Sequence, residues 1–104
     1  MKIYDFRIEY REQPKGLAVR IPRFSWKIAS DEKNVVQASW QIVVECGGSC
    51  VWDSGKVESD QSVLVPYCGT ELEEEKEYRV SLQITDNHGS SAQAETAFTT
   101  GIFD

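Results

Sequence analysis

One histidine, one methionine, three prolines and three cysteines are the whole supply of those residues in this 104-residue chain. A single histidine leaves little for imidazole chemistry or a histidine-rich metal centre. An odd cysteine count cannot pair completely within one chain, which fits a reducing compartment better than a disulfide framework. No apolar run approaches the roughly 18 residues a membrane helix needs. The opening Met1–Phe6 alternates polar and apolar at once, unlike the apolar stretch of a signal peptide. A cytoplasmic chain is therefore expected, or a secreted one if an export signal has been trimmed. Basic residues are also few: eleven against seventeen acids, a net charge of −6. That balance repels phosphate backbones and anionic lipid, so neither nucleic acid nor a membrane surface is expected as a partner.

What is present is ordinary for one folded domain: 40% hydrophobic residues, 27% charged and 11% aromatic. Residues 1–104 are expected to form a single unit that buries roughly 60–70% of its unfolded surface, enough for one core. The dominant pattern has period two. Tyr4, Phe6, Ile8 and Tyr10 alternate with Asp5, Arg7 and Glu9. After a break at Gln13–Gly16, Leu17–Ile21 reads as a short continuation ending at Pro22. Phe24, Trp26 and Ile28 alternate in a second strand, and Trp40, Ile42 and Val44 in a third. Cys46-Gly47-Gly48-Ser49-Cys50 reads as a hairpin turn with a three-residue loop, leading into Val51-Trp52. Asp53-Ser54-Gly55 stops that fourth strand, with the Asp side chain capping backbone N–H groups. Ser62–Val65 reads as a fifth strand, ended by Pro66. Tyr78, Val80, Leu82 and Ile84 form the clearest alternation, Asp86–Gly89 is a turn, and Ala94, Thr96 and Phe98 face inward on a last strand. Glu71–Lys76 has helix-like composition but no apolar stripe, so it reads as an acidic loop with at most one helical turn. Seven short strands without a helix predict an all-β antiparallel sandwich. Its expected core is Phe6, Ile8, Trp26, Ile28, Trp40, Ile42, Tyr78, Val80, Leu82 and Phe98.

Longer strings narrow the sandwich. Trp26 stands where a fibronectin type III domain places its core tryptophan, and Leu72 followed by Tyr78 resembles the tyrosine corner opening the sixth strand. Pro22–Lys27, Gln37–Ile42, Val51–Val57 and Phe98–Gly101 keep the order and spacing of the N-terminal fibronectin-like domain of bacterial α-L-rhamnosidases, which this chain resembles over nearly its whole length. Tyr10–Gly16 is similar to that family's opening, with Lys15 where Leu is usual. Trp40 replaces a more usual Tyr, and no aromatic stands near Ala92. The resemblance implies a piece of a multidomain glycoside hydrolase whose catalytic carboxylates lie on a separate (α/α)₆ barrel, so it carries over no catalytic residue.

Glu71, Glu73, Glu74, Glu75 and Glu77 could supply an acid pair, but catalysis needs a desolvated carboxyl and these are expected in water. Cys46, Cys50, Cys68 and His88 are the sulfur and imidazole ligands for a metal, and His88 sits in a distant turn. No metal or cofactor is expected, and no Cys–His nucleophile. Cys46 and Cys50 are free thiols or, in an oxidising setting, a disulfide. Trp40 falls on the inward phase of its strand. Trp52 and Tyr67 remain as residues that either meet a neighbouring domain or contact a sugar. The favoured expectation is a non-catalytic accessory domain bracing other domains of the same polypeptide. A carbohydrate-binding module would need Trp52 and Tyr67 exposed and roughly coplanar. A stand-alone protein-interaction domain would need one exposed apolar patch.

Overall fold

The computed structural model describes residues 1–103. Seven strands form two antiparallel sheets: β1 (Lys2–Ile8), β2 (Arg23–Ala29), β3 (Gln37–Cys46), β4 (Ser49–Asp53), β5 (Val65–Pro66), β6 (Glu77–Asp86) and β7 (Ser91–Thr99). The order is β1-β2-β5 in one sheet and β4-β3-β6-β7 in the other. Because β4 pairs with β3, the fourth strand joins the larger sheet, whereas constant-type immunoglobulin domains place it with the first, second and fifth. Among the described residues there is no helix, hence none long and apolar enough to cross a membrane.

The larger sheet follows the alternation closely. β6 pairs with β7 through nine consecutive positions from Glu77↔Thr99 to Thr85↔Ser91. Tyr78, Val80, Leu82 and Ile84 point inward, and Ile42, Val44 and Phe98 meet them. Trp26, Trp40 and Ile8 complete the expected interior, while Phe6 and Ile28 are only partly buried against it. Phe24, Val65, Tyr67, Leu72, Leu17 and Phe103 also belong to this one cluster.

The smaller sheet departs from the expectation at several points. Tyr4 and Tyr10 are 43% and 63% exposed. The cause is a bulge: Tyr4 pairs with Lys27 and Arg7 with Ser25, so Asp5 and Phe6 together face Trp26. One surplus residue reverses the phase, so Ile3 turns inward ahead of it and Phe6 and Ile8 after it. Asp5 takes up the change with φ 49°. Tyr10 is lost to the strand because Glu9 and Tyr10, at φ 50° and 69°, make a two-residue turn closed by paired bonds between Ile8 and Arg11. Leu17–Ile21 is no strand: Leu17 makes a lone parallel bridge to Thr100, and Ile21 is exposed. The Ser62–Val65 strand shrinks to Val65–Pro66, because Leu64 is left-handed (φ 55°) and its N–H goes to the Ser25 hydroxyl. Glu71–Lys76 makes a turn and no helical one.

The β3–β4 hairpin also differs. Its loop has two residues, Gly47 and Gly48, both at positive φ, with Cys46 opposite Ser49 and Glu45 opposite Cys50. Cross-strand partners share a face, and Glu45 and Cys46 point to opposite faces. Cys46 and Cys50 are therefore on opposite sides of the sheet, and all three cysteines are free.

Candidate functional site

The aromatic corner at β4 is built by the close approach of the Tyr67–Thr70 segment. Thr70 donates to the Val51 carbonyl at 2.9 Å. A Cβ on Gly69 would lie 2.5 Å from that carbonyl oxygen and 2.7 Å from the Tyr67 hydroxyl, so only glycine fits. The Tyr67 hydroxyl donates to the Thr70 carbonyl, and its ring is buried. Trp52 is half-buried. The two rings meet edge to face, with centroids 5.3 Å apart and planes at 77°. Trp52 also stacks on Phe24 at 6.2 Å and meets Trp40 at 6.4 Å. Burial pushes the Tyr67 hydroxyl up to about 12, so it remains a neutral donor to the backbone. Beside Trp52, Asp53 Oδ1 accepts from Gly55 N–H and from the Gln41 amide, each at 2.9 Å. Those bonds, the backbone one first, hold its carboxyl below the usual range.

The acidic loop presents Glu71, Glu73, Glu74, Glu75 and Glu77 to solvent around buried Leu72. Its backbone is held by the tyrosine corner: Tyr78 is buried and its hydroxyl accepts the Glu73 N–H at 2.8 Å. The carboxyl enclosed most closely by a partner is Glu9, whose side chain is 14% exposed. It accepts from Arg23 Nε at 2.8 Å, Nη2 at 3.0 Å and backbone N–H at 2.9 Å. The bond from the Arg23 side chain does most to lower its pKa. A group held ionised in this way pins the start of β2, and a general acid needs the opposite shift. His88 lies exposed in the Asp86–Gly89 turn, where Asp86 Oδ1 accepts from His88 and Ser90 N–H and Gly89 takes φ 86°. Among the described residues no three side chains of metal-binding type cluster.

Two polar groups that the period-two reading passed over hold the molecule together. Gln37 is buried, its Oε1 accepting from Trp26 Nε1 at 2.7 Å and its Nε2 donating to the Ser59 and Gln61 carbonyls at 3.0 and 2.9 Å. Strict alternation from Trp40 would put Gln37 outside; a bulge between Gln37 and Ser39 turns it in. Thr100 is the second. Its hydroxyl donates to the Glu73 carbonyl at 2.6 Å and accepts from Lys76 N–H at 2.9 Å.

Around Thr100 the C-terminal segment Thr99–Phe103 is clamped between two loops. Thr99 N–H donates to the Pro14 carbonyl, Gly101 N–H to the Leu17 carbonyl and Thr100 N–H to the Lys76 carbonyl, at 3.1, 2.9 and 2.9 Å. Leu17 and Glu75 N–H donate in turn to the Thr99 and Gly101 carbonyls. Phe103 N–H reaches Glu74 Oε2 at 3.3 Å, and its buried ring lies under the Arg20 guanidinium, 4.9 Å away.

Residues 3–104 match the family model described as the Rha78A-like, N-terminal immunoglobulin domain. The chain is 38% identical over 91 residues to an α-L-rhamnosidase of Streptomyces avermitilis, covering 83% of this chain and 9% of that protein. A Formosa agariphila α-L-rhamnosidase is 28% identical over 103 residues, 90% of this chain and 11% of that protein. Among solved structures, the S. avermitilis α-L-rhamnosidase complexed with L-rhamnose superposes with a TM-score of 0.88 at 36% identity, over 96% of this chain and 10% of that one. The α-L-rhamnosidase from Dictyoglumus thermophilum gives 0.89 at 32%, over 97% and 12%. The chain thus spans about a tenth of the curated relatives it matches. It belongs to the family of Rha78A-like N-terminal immunoglobulin domains.

Proposed function

We propose that, as a member of that family, this sandwich is a non-catalytic accessory domain of an α-L-rhamnosidase-like glycoside hydrolase and holds neighbouring domains of the same polypeptide in fixed relative positions. The observation that carries this reading is the clamped Thr99–Phe103 segment, in which the backbone N–H of every residue but Ile102 has a partner in or beside a flanking loop. A linker meant to swing is left in water; here Thr100 and Phe103 are buried. The α-L-rhamnosidase relatives, about a tenth of whose length the chain matches, supply the parent. The aromatic corner supports packing over sugar stacking, because Tyr67 is buried and stands nearly perpendicular to Trp52.

The test compares the 104-residue chain with the longer polypeptide. An aryl α-L-rhamnoside should be hydrolysed by the longer protein and left intact by the domain. Calorimetric titration of the domain with L-rhamnose should show no saturable heat. A saturable isotherm would replace the bracing role with carbohydrate binding.

A further inference from the structure

Six large hydrophobic side chains are conspicuously exposed, and two of them flank one contact: Ile21 follows Arg20 and Ile102 precedes Phe103, at 59% and 61% exposure. Nothing in the sandwich requires either to be apolar. Both belong to the pole where the clamped C-terminal segment ends, beside the acidic loop. There Glu71 pairs with Arg20 at 3.5 Å, Glu74 holds the Phe103 N–H, and Glu75 N–H meets the Gly101 carbonyl. Glu71 and Glu74 thus stand beside an apolar pair whose chain neighbours Gly101 and Phe103 are hydrogen-bonded in place. Exposed apolar residues bordered by charged ones are what an interface presents to its partner.

We propose that this pole, centred on Ile21 and Ile102, is the docking surface for the domain that follows in the same polypeptide, and that the covering surface is apolar at its centre and basic at its rim. The inference rests on the bracing role above. The occupant follows from three observations. The clamped segment delivers the chain to this pole. The relatives carry about nine-tenths of their length outside the matched region. Glu73, Glu74 and Glu75 of the acidic loop, unlike Glu71, have no ion-pair partner among the described residues and call for cationic complements. The other exposed face, a groove of about 720 Å³ lined by Tyr4, Tyr10 and Val63, lies along β1 and β2 and already contains its own counter-charges, Asp5 with Arg7 and Lys27.

The test measures unfolding of this domain alone and within the longer polypeptide. Docking should raise its midpoint in the longer protein by about 4–8 °C or more, and 0.5 M NaCl should reduce that increment. Ile21→Asp with Ile102→Asp should abolish the increment while leaving the isolated domain's midpoint within about 2 °C. An increment that survives both substitutions overturns the proposal, as does hydrogen exchange at residues 20, 21 and 101–103 that is equally fast in the two proteins. If the isolated domain is itself destabilised, Ile21→Ser with Ile102→Ser decides on the same criterion. Rhamnoside hydrolysis is read separately: activity without an increment sinks the docking surface alone, and an increment without activity sinks the parent's chemistry alone.

Discussion

The two sheets are held by different means. In β4-β3-β6-β7, bulges interrupt the β3 pairings only beside Gln37 and Glu45, and the β6–β7 pair reads like its own sequence: wet and dry residues alternate through nine matched positions. In β1-β2-β5, the first strand bulges, the last has two residues, and Asp5, Glu9, Tyr10, Gln13 and Leu64 all adopt left-handed backbone in or beside it. Each such non-glycine residue costs on the order of 1 kcal/mol and persists only where the surroundings enforce it. Here the surroundings are specific side chains. Gln37 reaches across to hold Trp26 and the 59–61 backbone, Glu9 grips Arg23, and Ser25 takes the Leu64 N–H. One sheet follows the alternation within its strands, and the other depends on particular side-chain hydrogen bonds.

The largest effect should come from removing the ring on which the irregular sheet is assembled. Trp26→Ala should cost about 3–5 kcal/mol in denaturant unfolding; a cost below about 1 kcal/mol would erase the contrast. A sharper cut is Gln37→Leu, which strands the Trp26 N–H and two carbonyls and should cost about 1–3 kcal/mol. Its signature is local. Amide exchange should rise across residues 56–64 and stay unchanged in β6 and β7, and uniform acceleration in both sheets would show that they fold as one indivisible unit. Tyr78→Phe, on the regular sheet, removes one bond to Glu73 N–H and should cost about 1 kcal/mol, with exchange rising only in the acidic loop.

The smallest effects are those of pH, and they too divide. Glu9 has a lowered pKa when folded, so its contribution is complete above the ordinary carboxylate value near 4.5 and fades as pH falls through the folded value. Glu9→Gln should flatten that acid limb. Tyr67 has a raised pKa, so its contribution is present below about pH 10 and is lost as pH rises through about 12. Tyr67→Phe should shrink the alkaline limb to the part left by Tyr78, whose hydroxyl burial also pushes up, and leave the acid limb in place.

The same contrast explains how much was legible in the sequence. The sandwich, the strands β2, β3, β6 and β7 and the inward Trp26 and Trp40 follow from short-range periodicity, because burial on one face is what alternation encodes, and the tyrosine corner follows from the family resemblance. The outward turn of Tyr4 and Tyr10, the collapse of the expected 62–65 strand and the burial of Gln37 do not follow. Each depends on one surplus residue or one distant hydrogen bond that reverses the phase, and a bulge leaves no trace in composition. The two-glycine turn was visible, but its length was not. One residue's difference decides whether Cys46 and Cys50 share a face. Among the site residues, Trp52 and Tyr67 were found as a pair through their aromatic character, whereas their perpendicular arrangement is set by Gly69, whose closeness only the assembled backbone reveals.

The ring chain through the interior has an optical consequence. Phe6, Trp26, Trp40, Trp52 and Tyr67 follow one another at centroid separations of 5.3–6.4 Å. At such spacings the three indoles share excitation, so their near-ultraviolet bands in the folded chain behave as one coupled chromophore whose circular dichroism depends on the angles between rings. Parting the two sheets takes Trp26 away from Trp40 and leaves Trp40 and Trp52 together on one sheet, so the Trp26 contribution is a label-free gauge of the sandwich's closure.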